Sequence, residues 1–281
     1  MPVDGLSLFA FLPKPYALTY LDRDCIGLRS QDRKDAYAKA LALLGQPFPH
    51  TGLPDVQPIP NGHQAHLDAV TQNPQFARTV AGFNAASFGL VEIDPLIAFQ
   101  VHLSVERGNE RAPTDTSIGA MLDLCLPASP MDVKADWTVG GGPLVGNVTL
   151  MSDSLNLTTL GPPSIPPNGA VDSAAEIGPI LGVASDLVHV FEVQGRFYLR
   201  NGYHRAWAIR RAGETHMPAL ILQANAYAQA QVLDGHFPQA LVTGPNPPTM
   251  AHFTQGRAYP IKLRRARRRA RITWKVDVER E

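Results

Sequence analysis

An α+β fold, built on a mixed sheet with flanking helices, is what this sequence predicts, and three observations predict it. Segments with helical spacing of apolar residues and segments with strand-like alternation both occur, without a regular βαβ series. Turn formers are abundant, with 23 Gly and 25 Pro among 281 residues. Hydrophobic residues make up 44% of the chain, enough for a packed core and too many for a disordered segment.

The elements follow in order. Residues 1–30 read as an irregular entry with short extended pieces. Asp32 to Leu44 reads as a helix, because Ala36, Ala40, Leu41 and Leu44 recur at helical spacing and Gly45 stands where a left-handed cap is favoured. Residues 46–62, Pro-rich and ending in Asn61-Gly62, read as a loop. His63 to Gln72 reads as a second helix, and Pro74 is placed to open a third that runs to Phe83. Leu90 to Ile93 reads as a strand stopped by Asp94-Pro95, and Leu96 to Leu103 resumes an apolar extended pattern. Residues 106–117 are polar and read as a loop. Ile118 to Leu126 reads as a short helix. Val145 to Met151 and Leu155 to Leu160 alternate around Ser152-Asp153-Ser154, so 106–170 reads as an insertion with its own hairpin. Asp186 to Val193 and Arg196 to Arg200 form a hairpin across Gln194-Gly195. Asn201 has N-cap chemistry for a helix from Gly202 to Ala212 that stops at Gly213. Met217 to Leu222 reads as a buried strand, and Ala224 to Leu233 as a further helix.

Composition excludes several classes. No run of about 18 apolar residues exists, and Met1 to Tyr20 lacks the basic start and compact apolar core of a secretory signal, so a cytoplasmic protein without membrane partners is expected. Cys25 and Cys125 lie too far apart for metal-ligand spacing and read as buried thiols. The 25 basic and 25 acidic residues cancel. Yet 256–281 holds ten basic and three acidic residues, so the positive charge is concentrated at the C-terminal end.

The segment with chemistry is Asn201-Gly202-Tyr203-His204-Arg205, where a strand ends and a helix begins. The first amides of a helix have no intrahelical partner, and its dipole is positive there. Gly202 removes a side chain where an anion would touch the backbone. His204 and Arg205 add two donors, the guanidinium suited to phosphate oxygens. The pattern fits a phosphate site; an ion pair from this first turn to Glu192 is the competing explanation.

From Phe197 to Leu222 the chain resembles the ParB/sulfiredoxin-like superfamily. That family's hallmark is a strand, a Gly-X-His-Arg box opening a helix, then a Gly turn and a strand containing Pro; Gly202, His204, Arg205, Gly213 and Pro218 stand at those positions. Val91 to Ser104 resembles the opening strand and nucleotide-side loop. The resemblance covers about a seventh of the chain. It implies a ParB N-terminal-domain-like fold over 89–235 with a β-rich insertion at 106–185, preceded by a helical extension (1–88) and followed by a Pro-rich linker and basic segment (236–281). It also implies that ATP or CTP with Mg, or another phosphorylated small molecule, is held by Gly202, His204, Arg205 and Asn201, with Gln100 and Ser104 on the opposite wall. Nucleotide hydrolysis or phosphoryl transfer would follow from such a grip. Tyr203 stands where sulfiredoxins carry their catalytic Cys, so sulfinic-acid reduction is not expected. No helix-turn-helix pattern follows Leu222, which argues against chromosome-partition clamping.

Other features carry less. The run Lys262 to Arg271 fits an electrostatic grip on DNA or RNA through Arg264, Arg265, Arg267, Arg268 and Arg269; a solvated basic helix or an oligomer contact would read the same way. Ile272, Trp274, Val276 and Val278 then alternate as a strand. His63 and His66 are a helical turn apart, but only Asp68 stands near them, so no metal site is expected. Gly140-Gly141-Gly142-Pro143 lacks the Lys-Ser/Thr ending of a phosphate loop and reads as a connection. Glu92, Glu106 and Glu192 are equivalent candidates for a general base, and nothing in the sequence selects one.

Overall fold

The computed structural model describes residues 2–45, 52–129, 135–142, 145–152, 157–159, 181–183, 186–230, 236–265 and 268–275. Compactness divides the chain into two units, Met1–Ser129 with Asp186–Arg265, and Pro130–Ser185 with Ala266–Glu281. The first 88 residues therefore belong to the same unit as the strands that follow. The second unit starts later than residue 106 and takes in Ala266–Glu281, so it holds part of the basic C-terminal segment.

In chain order the first unit begins with β1 (Val3–Ser7), α1 (Lys14–Asp24), α2 (Ser30–Leu44), β2 (Val56–Gln57), α3 (Gln64–Gln72), α4 (Pro74–Val80), β3 (Ala85–Glu92), β4 (Ile97–Ala98), β5 (His102–Ser104), α5 (Val105–Glu110) and α6 (Ile118–Cys125). The second unit supplies β6 (Ala135–Gly141), β7 (Val145–Ser152), β8 (Leu157–Thr159) and β9 (Leu181–Val183). The first unit resumes with β10 (His189–Val193), β11 (Arg196–Asn201), α7 (Tyr203–Arg211), β12 (His216–Gln223), α8 (Gln239–Val242), α9 (Met250–Thr254) and β13 (Tyr259–Leu263), and β14 (Arg268–Lys275) returns to the second.

The first unit is built on a mixed six-stranded sheet in the order β2-β3-β12-β10-β11-β4. β12 is central because its run from Met217 to Leu222 is buried throughout. Pro218 is tolerated there because the parallel ladder to β10 begins only at Leu220, so on that side the missing N–H leaves no strand unpaired. β10 and β11 close as a two-residue hairpin, with Gln194 at φ 52° and Gly195 at φ 74°, both positive as a type I′ turn requires. A second sheet, β13-β1-β5, joins the two ends of this unit.

Most expected elements are present. α2, α3, α4, α6 and α7 lie where periodicity and caps put them, and Gly213, at φ 102°, ends α7. Several expectations are corrected. Gly45 caps α2 in the right-handed region, at φ −69°. The polar stretch after Ser104 is not loop throughout: the Ser104 hydroxyl accepts from the Arg107 amide and starts α5. Asn201 is not the N-cap of α7; Gly202 is, in a left-handed conformation, while Asn201 Nδ2 donates to Leu187 O at 2.9 Å. Residues 227–230 form a 3-10 turn instead of the expected helix, whose end (231–233) lies outside the described residues.

The second unit contains a three-stranded antiparallel sheet, β14-β7-β6, and a two-stranded pair, β8 with β9. The expected β7–β8 hairpin is not formed: β7 pairs with β6 and β14 instead. Gly140 and Gly141 are part of β6, and Gly141 sits at φ 93°. The strand expected from Ile272 onward is present, but it starts four residues earlier, inside the Arg run. Val276 and Val278 lie outside the described residues, as does the Asp153-Ser154 part of the expected turn.

Candidate functional site

The strand-to-helix corner from Asn201 to Arg205 forms as the sequence reading requires, yet its side chains face the protein. Gly202 holds φ 110°, which favours glycine. A Cβ there would stand 2.7 Å from Val188 Cγ2, so the space a side chain would take is already filled by Val188. The next three residues each reach a different segment. Tyr203 is buried, and its hydroxyl accepts from the Phe99 amide at 2.6 Å and donates to Leu199 O. His204 Nε2 accepts from the Ser104 amide at 3.1 Å. Arg205 Nη1 donates to Leu124 O at 3.1 Å and to Asp186 O.

The electrostatics fit those contacts. Burial pushes His204 down to about 3, helped by Arg107, His102, Arg205 and Arg111, so the ring is neutral at ordinary pH and serves as an acceptor. Arg205 is 7% exposed and tied to the carbonyl at the end of α6 and the carbonyl that precedes β10. Asp186 Oδ2 is buried without a hydrogen-bond partner, and the Asp186 charge acts on the Arg205 guanidinium. Burial pushes both cysteine thiols, Cys25 and Cys125, up to about 12, which keeps them protonated and unreactive.

The structure thus brings Gln100 and Ser104 to the first turn of α7, but their amides bond to that turn: Gln100 N–H to Tyr203 Oη at 3.4 Å, Ser104 N–H to His204 Nε2. The contacts of Arg205 lend no support to the expected phosphate grip, because its Nη1 is given to two backbone carbonyls. The guanidinium points inward, away from the side of the helix that His204 occupies, because adjacent helical residues diverge by about 100°. Of the three carboxylates, Glu106 lies beside the corner, accepting from Ser104 Oγ at 3.3 Å. Glu92 accepts from the Asp55 amide, and Glu192 from Gln223 Nε2.

One anchor of the corner was missed in sequence. Asp94, 9% exposed, accepts from Arg210 Nε at 3.1 Å, Thr254 Oγ1 at 2.7 Å and Gln255 Nε2 at 3.0 Å, so it ties α7 to α9. Asp94-Pro95 reads as a strand stop, and nothing local marks those distant partners.

The basic run divides between the two units. Arg264 and Arg265 are exposed just after β13, and the Arg264 amide bonds Asp24 O at 2.8 Å. Arg267 lies outside the described residues. Arg268 opens β14, and Arg269, Arg271 and Thr273 alternate as exposed residues along it, while Ala270 and Ile272 are half-buried. A basic β-strand therefore replaces the basic helix that the run alone admits. The register places Arg269 opposite Met151, Arg271 opposite Thr149 and Thr273 opposite Asn147, and those residues opposite Asp136, Thr138 and Gly140 of β6. Directly paired residues share a face, so one face of this sheet holds Arg269 and Arg271 with Asp136, Thr138, Asn147, Thr149, Met151 and Thr273.

His66 Nε2 bonds Leu126 O at 2.8 Å, and its Nδ1 faces Asp123 at 3.5 Å. Among the described residues no cluster of three or more His, Cys, Asp or Glu is arranged to hold a metal ion. No described helix is long and apolar enough to cross a membrane. No family model, no curated protein and no solved structure matches the chain.

Proposed function

We propose that this chain is a nucleic-acid-associated protein that grips phosphates through β14. The observation that carries the reading is the register of β14 with β7 and β6. It sets two exposed arginines, two residues apart and so about 7 Å along the strand, on one face with exposed Thr138 and Thr273 and half-buried Asn147, and with one exposed carboxylate, Asp136, two strands away from Arg269. Arg, Thr and Asn are the side chains that contact phosphate and sugar oxygens, and such contacts position a protein without reading sequence. The local concentration of basic residues at 256–281 adds long-range attraction.

The competing role for an Arg-bearing edge strand is to block edge-to-edge pairing. The two differ in one measurement. A labelled 20-base-pair duplex, or the matching single strand, is titrated with the full chain at ~50 mM and ~200 mM salt. Phosphate gripping predicts binding that weakens steeply with salt and is lost in Arg269→Gln/Arg271→Gln. Absent or salt-insensitive binding would overturn the reading.

Nucleotide binding at the Gly202–Arg205 corner, with ATP or CTP and Mg or another phosphorylated small molecule, ranks first on sequence and second on this geometry. What supports it is the run of leading α7 amides, before the first intrahelical bond from Ala206 N–H to Gly202 O, with Arg107 and Arg111 acting on the neighbouring His204. What weighs against it is the inward set of Arg205 and the filled space beside Gly202. A rise in melting temperature with ATP or CTP that vanishes in His204→Ala would restore it.

A further inference from the structure

A cavity of about 580 Å³ opens in the first unit at the start of β11, some five residues and so about 16 Å from the Gly202 corner. Its size falls within the ~300–1,000 Å³ of small-molecule sites. The walls are mainly apolar, formed by Phe11, Leu53, Pro95, Ile97, Phe197 and Pro247. Leu53 is 69% exposed, so the mouth presents greasy surface to water. Besides Asn246 and Thr249, two ionisable side chains line the cavity. His252 Nδ1 accepts from the Thr249 amide at 3.0 Å, its ring stands edge-on to Phe11 at 4.9 Å, and burial pushes it down to about 4, so it brings no charge. Arg196 is the charged member. Its Nη1 donates to Gly244 O at 2.8 Å, and it hydrogen-bonds Tyr198. No ion pair joins Arg196 to a carboxylate among the described residues.

We infer that this cavity binds a small monocarboxylate with an apolar body, such as an aromatic or branched aliphatic acid, its carboxylate on Arg196 and its body against Phe197, Ile97 and Phe11. A guanidinium has five N–H donors, so the bonds to Gly244 and Tyr198 leave donors for a ligand. Arg with carboxylate is among the strong charge-assisted pairs. The head group follows from charge count. One guanidinium beside a neutral imidazole balances one negative charge; a phosphate monoester would bring a second charge into an apolar space with nothing to balance it. The site is independent of β14 and of the Gly202 corner.

The test uses the full chain and calorimetry or ligand-observed NMR with 4-phenylbutyrate, 4-methylpentanoate, the neutral amide of each, and phenyl phosphate. The acids are expected to bind with Kd of about 1 mM or tighter, and each amide at least tenfold more weakly. Arg196→Gln is expected to lower acid affinity at least tenfold. Leu53→Glu, at an exposed position where folding is not at stake, is expected to do the same by placing a carboxylate at the mouth. Equal affinity for acid and amide overturns the inference. So does tighter binding of phenyl phosphate, no binding of either acid up to about 10 mM, or acid binding untouched by Leu53→Glu.

Discussion

At the scale of single residues, the Gly-Tyr-His-Arg box is a junction. Tyr203, His204 and Arg205 send their polar atoms to the segments around Phe99, Ser104, and Leu124 with Asp186. Arg205→Ala would leave two half-buried carbonyls short of a donor and empty the buried space the side chain fills, so a loss of about 2–4 kcal/mol is expected in chemical denaturation. A ligand-binding Arg would lose little stability on the same change. Gly202→Ala meets both a positive φ and Val188, and about 2–4 kcal/mol of destabilisation is expected by the same assay. The strand-to-helix corner was legible in sequence because Gly202 and the stop at Gly213 are local signals, although Gly202 and not Asn201 is the cap. Its use was not, since the carbonyls that hold Arg205 are 81 and 19 residues away along the chain.

Elements show the same division between local and distant causes. The β10–β11 hairpin was readable from Gln194-Gly195, and the positive φ of Gln194 yields a further expectation: Gln194→Asn should stabilise the hairpin by about 0.5 kcal/mol, seen as a higher denaturation midpoint. α5 was hidden because six residues with one apolar member offer no periodicity; it is set by the Ser104 cap and by packing on α7. Gly108 lies so close to Trp207 that a Cβ would stand 2.4 Å from Cε3, which makes Gly108→Ala destabilising by about 1–3 kcal/mol. β14 was half visible. Ile272 and Trp274 alternate in the sequence, but from Arg268 to Arg271 the only apolar residue is Ala270, and only pairing with β7 shows that the strand extends there.

For the molecule as a whole, burial sets the response to acid. His189 and His204 are pushed down to about 3, and His236 and His252 to about 4. Each is neutral when folded, and each takes up a proton near 6.5 when unfolded. The stability they contribute is present above pH ~6.5 and is lost progressively as pH falls towards 3–4, by up to about 1.4 kcal/mol per group per pH unit. All four lie in the first unit, whose single tryptophan is Trp207. Denaturation followed by fluorescence in a Trp137→Phe/Trp274→Phe background reports on that unit, and its midpoint should fall between pH 7 and pH 4. The division into two units was only partly legible: Pro- and Gly-rich stretches mark an insertion, but nothing in the sequence pairs 268–275 with 145–152.

The slope of log Kobs against log salt for a labelled duplex tests the proposed role of β14 most directly. The account predicts a steep negative slope that becomes shallower by about 2 in Arg269→Gln/Arg271→Gln, one phosphate contact per lost guanidinium. An unchanged slope in that double variant, with affinity intact, would contradict it.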